Sequence, residues 1–196
     1  MDALGLLKIR VRRGINLAVR DAARGSSDPY VIVTCGAHKV KTSVVKSNLN
    51  PEWNEELTIS IKDLNVPIVL TVHDKDTFSL DDNLGNAEID IKPYIDCLRM
   101  GFQGVSDGIT VERIQPSENN CLAGESCIIW KEEKMTQDMT IGLRKIECGE
   151  VELQIEWIDL PGCKGCKDGM TEEGCATGAC DSGEALMDTH PMRSLS

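Results

Sequence analysis

Between Leu7 and Ile158, short apolar runs alternate with polar residues again and again, and Gly, Pro and Asn divide many of them. Leu7, Ile9 and Val11 alternate with Lys8, Arg10 and Arg12, the period-two pattern of a strand with one buried face. Residues 30–35, Tyr-Val-Ile-Val-Thr-Cys, are rich in β-branched side chains that suit a pleated surface. Gly36 turns this run into a third at 39–44. Asn48-Leu49-Asn50-Pro51-Glu52 carries turn chemistry, and 56–61 alternates once more. Pro67 precedes a fifth run at 68–73, and a sixth covers 84–91. Residues 94–100 read as a helical turn. Runs at 110–114, 127–131 and 139–143 follow. The closing run, 150–158, places Val151, Leu153, Ile155 and Trp157 on one face. Strands this short, divided by such turns, predict an all-β antiparallel sandwich.

Two of the connections are acidic. The first contains Arg20-Asp21-Ala22-Ala23-Arg24-Gly25-Ser26-Ser27-Asp28-Pro29-Tyr30, and the second His73-Asp74-Lys75-Asp76-Thr77-Phe78-Ser79-Leu80-Asp81-Asp82. Loops at one end of a sandwich cluster in space, so Asp21, Asp28, Asp74, Asp76 and Asp82 are expected to meet. Gathered carboxylates repel one another unless a hard cation lies between them. Calcium takes six to eight oxygen ligands in flexible geometry, which suits paired aspartate loops. Asp81 stands as a substitute for Asp82 or an aid to it, and Ser79 as a minor ligand. Asp28 also has a capping role open to it, before Pro29.

The formal charge of −11 argues against a nucleic-acid binder, which is normally basic. It argues equally against standing attraction to an anionic membrane. Two calcium ions would set four positive charges against these five carboxylates. The loop end would become nearly neutral, and anionic phospholipid oxygens could complete the coordination.

The N-terminal segment predicts neither a signal peptide nor N-myristoylation, since Met1 is followed by Asp2. No apolar run reaches the length of a membrane span. Nine cysteines, an odd number, with no export signal predict free thiols in a reducing compartment. A catalytic role is not expected. There is no phosphate-cradling glycine loop, and His38, His73 and His190 form no nucleophile site or metal group.

Taken together, Ser27-Asp28-Pro29-Tyr30-Val31, Asn50-Pro51-Glu52-Trp53-Asn54-Glu55 and the Asp74-x-Asp76-x5-Asp82 spacing resemble a C2 domain. The opening Gly5-Leu6-Leu7-Lys8-Ile9-Arg10-Val11 and the ending Trp157-Ile158-Asp159-Leu160-Pro161-Gly162 are similar to the plant C2-domain abscisic-acid-related proteins. These are small single-C2 proteins also described as GTPase-activating proteins of YchF-type G-proteins. The segment from Ile91-Lys92-Pro93-Tyr94-Ile95 to Glu147-Cys148-Gly149-Glu150-Val151 resembles that group's signature insert. Six residues separate Asp21 from Asp28, a longer first loop than the family's usual one.

The resemblance implies an eight-stranded C2 sandwich of type II topology over 1–160. An insert would occupy approximately 92–149. The segment 161–196 lies beyond the resemblance; rich in Gly, Ser, Thr and Cys, with no aromatic residue and no periodicity, it reads as a disordered tail. The resemblance implies calcium as the cofactor, held by the five aspartates with the backbone carbonyls of Arg20 and Lys75. It implies calcium-dependent binding to anionic phospholipid and transient recruitment of abscisic acid receptors of the PYR/PYL/RCAR type. The alternative it carries is stimulation of a YchF-type G-protein, for which Arg99, Arg113 and Arg144 are candidate contacts. The implied locations are the cell membrane, as a peripheral protein, the cytoplasm and the nucleus.

Other residues keep two readings. Phe78 and Leu80 at the crest of the second loop either pack on the protein or enter a bilayer, where burying one such side chain is worth about 1.5–3 kcal/mol. Lys39 and Lys41, with Lys46, resemble the family's anionic-lipid groove. Lys8, Arg10 and Arg12 read first as an ordinary charged strand face. Trp53 reads as a structural anchor, and His73 as a residue of the core edge or the loop base. Cys163, Cys166, Cys175 and Cys180 read as free or redox-active thiols before zinc ligands, because their spacing is irregular.

Overall fold

The alternation along the chain becomes ten strands and one helix in the computed structural model, which describes residues 3–20, 25–76, 80–102 and 106–161. The expected disordered tail, with Cys163, Cys166, Cys175 and Cys180, lies outside the described residues.

The strands are β1 (Gly5–Ile15), β2 (Pro29–Cys35), β3 (His38–Lys41), β4 (Glu52–Ile61), β5 (Ile68–Asp74) and β6 (Asp82–Ile89). After helix α1 (Lys92–Met100) come β7 (Ile109–Ile114), β8 (Ser126–Lys131), β9 (Lys134–Gly142) and β10 (Glu150–Ile158). One sheet has six strands in the order β4-β1-β10-β9-β8-β7, and the other has four in the order β3-β2-β5-β6. This is a C2 β-sandwich. It has ten strands where eight are expected, because β7 and β8 from the insert extend the larger sheet past β9.

The alternating faces meet between the sheets. Leu7, Ile9 and Val11 of β1 and Val151, Leu153 and Ile155 of β10 pack with Val31, Val33, Leu70 and Val72 of the smaller sheet, all fully buried or nearly so. Trp53 of β4 is buried and donates its indole N–H to the Pro29 carbonyl (3.3 Å), so it anchors one sheet to the other. β1 and β10 are antiparallel, with Leu6 opposite Ile158. Where β1 begins, the Trp157 ring lies where a Cβ on Gly5 would be, 2.2 Å from one ring carbon. The chain thus enters and leaves the sandwich at the end opposite the acidic loops, as type II topology requires.

Several boundaries differ from expectation, with β6 beginning at Asp82 and β9 at Lys134 among them, and three others show tertiary contacts at work. β3 stops at Lys41 because Thr42 turns its hydroxyl inward to accept the Val31 N–H (2.9 Å). β4 starts at Glu52, ahead of its alternating part. A bulge in β1 between Val11 and Arg13 shifts the register there, so that Arg13 pairs with Glu52. The helical turn at 94–100 is a nine-residue helix with Pro93 in its first turn. Its buried Tyr94 donates to the Met135 carbonyl (2.6 Å) and accepts the Trp157 N–H (2.9 Å), binding the helix to β9 and β10. Among the described residues no helix is long and apolar enough to cross a membrane.

Candidate functional site

Strand pairing gathers the acidic residues. β2 pairs with β5 so that Pro29 faces Asp74, and β5 pairs with β6 so that Asp74 faces Asp82. Asp28, Asp74 and Asp82 therefore lie side by side at one end of the smaller sheet, although Asp28 is 46 positions from Asp74 in the chain. The Asp28 N–H donates to Asp74 Oδ1 (2.5 Å), and the Lys75 N–H donates to the Asp28 carbonyl (3.0 Å). Asp28 Oδ1 in turn accepts the Ser47 N–H (2.8 Å). Asp74 is buried, Asp28 and Asp76 are half-buried, and Asp82 is exposed.

The first loop is closed at its base by a residue whose role the sequence did not announce. Ser27 is buried; its hydroxyl donates to the Ala18 carbonyl (3.0 Å) and accepts the Arg20 N–H (3.1 Å). This contact fixes the backbone of Arg20, whose guanidinium lies 3.7 Å from Glu147. Asp21, Phe78 and Ser79 lie outside the described residues.

The second loop is organised by Asp81. Its Oδ2 accepts the Tyr30 hydroxyl (2.6 Å), and its Oδ1 accepts the Asp76 N–H (3.1 Å) and the Lys75 ammonium (3.0 Å). The Tyr30 and Lys75 donors hold the Asp81 carboxyl down at about 2. Tyr30 is pushed up to about 12, by burial first and by the Asp81 carboxylate second. The Tyr30 ring stacks on His73 (centroids 5.6 Å apart), and the Lys41 ammonium lies 6.0 Å from its centre. His73 is thus at the loop base, on the outer face of the smaller sheet, and its burial lowers its pKa.

Among the described residues no three His, Cys, Asp or Glu side chains are gathered closely enough to hold a metal ion as they stand. The donor chemistry nonetheless suits a hard divalent cation. The available ligands are oxygen only, and a carboxylate that accepts one amide N–H keeps further lone pairs.

Apolar groups flank this end, and basic groups follow the β3 edge of the same sheet. Of the four large apolar side chains exposed among the described residues, Leu80 is 91 % exposed, and Val19 and Val44 also flank the acidic loops. The sequence singled out Leu80 but not the two valines, which sit in runs that look like strand ends. Lys39, Lys41 and Lys46 are exposed and enter no ion pair among the described residues. Lys8 and Arg12, by contrast, pair with Glu156 (3.0 Å) and Asp138 (2.7 Å), as an ordinary strand face does.

Comparison with known proteins agrees with this architecture. The profile of the C2 domain family matches residues 5–103. Protein C2-DOMAIN ABA-RELATED 4 of Arabidopsis thaliana is 55% identical over 164 residues, covering 84% of this chain and 92% of that protein. GTPase activating protein 1 of Oryza sativa subsp. japonica is 54% identical over 162 residues, covering 83% and 96%. The calcium-bound pair of C2 domains of Extended-Synaptotagmin 2 superposes with a TM-score of 0.55 at 22% identity, covering 81% of this chain and 47% of that one. A single C2 domain of plant Extended Synaptotagmin 1 gives a TM-score of 0.51 at 20% identity, covering 82% and 98%. Fold, profile and relatives lead to one conclusion: this chain belongs to the C2-domain family and, within it, to the group of the C2-domain abscisic-acid-related proteins and GTPase activating protein 1.

Proposed function

We propose that this protein is a calcium-dependent phospholipid-binding module that carries abscisic acid receptors transiently to the plasma membrane. One observation supports it above the others: Asp28, Asp74 and Asp82 stand on neighbouring strand ends beside an exposed Leu80, and the edge strand β3 of the same sheet carries Lys39 and Lys41 with no ion-pair partner among the described residues. The residues that would hold calcium are Asp21, Asp28, Asp74, Asp76 and Asp82, with the Arg20 and Lys75 carbonyls. When bound, calcium would offset the carboxylate charge and take phosphate oxygens as ligands. The chain's own residues do the remaining work. Lys39 and Lys41 attract anionic headgroups, at about 1 kcal/mol per lysine near the surface, while Phe78 and Leu80 enter the bilayer. The receptor partner is supported by the names of the abscisic-acid-related relatives.

The name of the rice relative, GTPase activating protein 1, supports a second reading, activation of a GTPase, for which the resemblance implies a YchF-type G-protein. Arg99 and Arg113 pair with Asp96 (3.2 Å) and Glu125 (2.5 Å). Arg144 donates to the neutral Asn120 carbonyl (2.6 Å), which makes it the arginine to replace.

Vesicle pelleting on phosphatidylserine-containing liposomes tests the main reading. Binding is expected with calcium, and loss of at least tenfold with chelator or in an Asp76→Asn, Asp82→Asn double variant. Equal binding with and without calcium would remove the reading. A nucleotide hydrolysis assay with a purified YchF-type protein separates the alternative, which requires a rate increase that Arg144→Ala diminishes.

A further inference from the structure

Resting on the calcium reading, one residue of the second loop can be given a separate role. Asp81 and Asp82 are adjacent carboxylates, yet their surroundings differ. Asp82 is exposed at the start of β6, opposite Asp74. Both oxygens of Asp81 are taken. The Tyr30 hydroxyl donates to Oδ2, the Asp76 N–H to Oδ1, and the Lys75 ammonium lies 3.0 and 3.2 Å from the two. The bond to Tyr30 spans 51 positions in the chain.

Tyr30 is itself well held. It is buried, paired with His73 across the β2–β5 ladder and stacked on that ring. Asp81 therefore joins the outgoing leg of the loop, at Lys75 and Asp76, to a fixed point on β2. To turn towards an ion, its carboxylate would have to release three donors, one of them a charged ammonium. Where it stands, it fixes the amide of Asp76, and hence the backbone from which that side chain projects.

We propose that Asp81 is a positioning residue rather than an ion ligand: with Tyr30 it holds the leg of the loop that presents Asp76 to calcium.

Calorimetric titration of calcium chloride into the full chain, with hydrogen exchange of single amides in chelator, tests this. Tyr30→Phe keeps the stacked ring and removes only the hydroxyl, and Asp81→Asn keeps the shape of the side chain. Both are expected to bind the wild-type number of ions about tenfold more weakly. In both, the Asp76 amide is expected to exchange about tenfold faster, while the Asp28 amide, bonded to Asp74, keeps its wild-type rate. Lys75→Met, which removes one donor and leaves Tyr30 in place, should give a smaller effect in the same direction. Loss of an ion in Asp81→Asn alone, with Tyr30→Phe titrating as wild type, would make Asp81 a ligand and overturn the proposal. Unchanged exchange at Asp76 in both variants would overturn it as well. If the wild type takes up no calcium, the functional reading fails instead, and exchange at Asp76 still decides whether Asp81 holds the loop.

Discussion

Tyr30 and Tyr94 are the two tyrosines of the chain, and the fold keeps both hydroxyls protonated beyond their ordinary range. Burial is the larger cause in each; for Tyr30 the hydrogen-bonded Asp81 carboxylate adds to it, and for Tyr94 the charges of Glu156 and Asp159 do. A tyrosine whose folded pKa is raised stabilises the fold fully below its unfolded value of about 10. That contribution is lost as pH rises towards about 12, where Tyr30 ionises in the folded state. Absorbance at the phenolate wavelength is therefore expected to stay flat through pH 10 in the native protein, and to show both tyrosines titrating near 10 in concentrated urea. A native titration that matched the denatured one would show that neither hydroxyl is held. At this scale the sequence was an incomplete guide. Asp74-x-Asp76 was legible because it directly follows an alternating run. The different roles of Asp81 and Asp82 were not, since only the pairing that sets Asp82 opposite Asp74 and Tyr30 near Asp81 separates two adjacent identical residues.

The β8–β9 hairpin turns on Glu132 and Glu133, both with positive φ (52° and 59°). A two-residue turn of this kind matches the twist of its strands but favours Asn-Gly, and a side chain in the left-handed region costs roughly 1 kcal/mol. Replacing the pair by Asn-Gly is expected to stabilise the protein by about 1 kcal/mol, read as a rise in the thermal midpoint of about 2–4 °C. A fall in the midpoint would mean that the Glu132 carboxylate, 3.6 Å from the Lys131 ammonium, contributes more than the relieved backbone. Strands were legible wherever one face was buried, as in β1, β5 and β10, because burial imposes the alternation. The polar start of β4 was hidden because it is specified by the bulge in β1 and by the inward turn of Trp53, both tertiary effects. The insert read as separate short runs, and its union with the larger sheet was not visible. That union is made by the β8–β9 and β9–β10 ladders, and Tyr94 ties the helix to them across 41 and 63 positions.

The molecule as a whole is polar along its long direction. The acidic loops and the exposed Val19, Val44 and Leu80 stand at one end, and the start of β1 and the finish of β10 at the other. A fluorescent protein fused ahead of Met1 is therefore expected to leave calcium-dependent vesicle pelleting within about twofold of the unfused protein. A larger loss would show that the far end also takes part. The placement of β10 has a consequence for how the protein is made. This strand, the last among the described residues, is not at an edge but lies between β1 and β9, so the larger sheet stays split into two halves until it arrives. A nascent chain emerging from the ribosome must keep β1 and β9 waiting with open edges, the kind that invite wrong partners. Synthesis past Ile158 is then the step that lets the sandwich close.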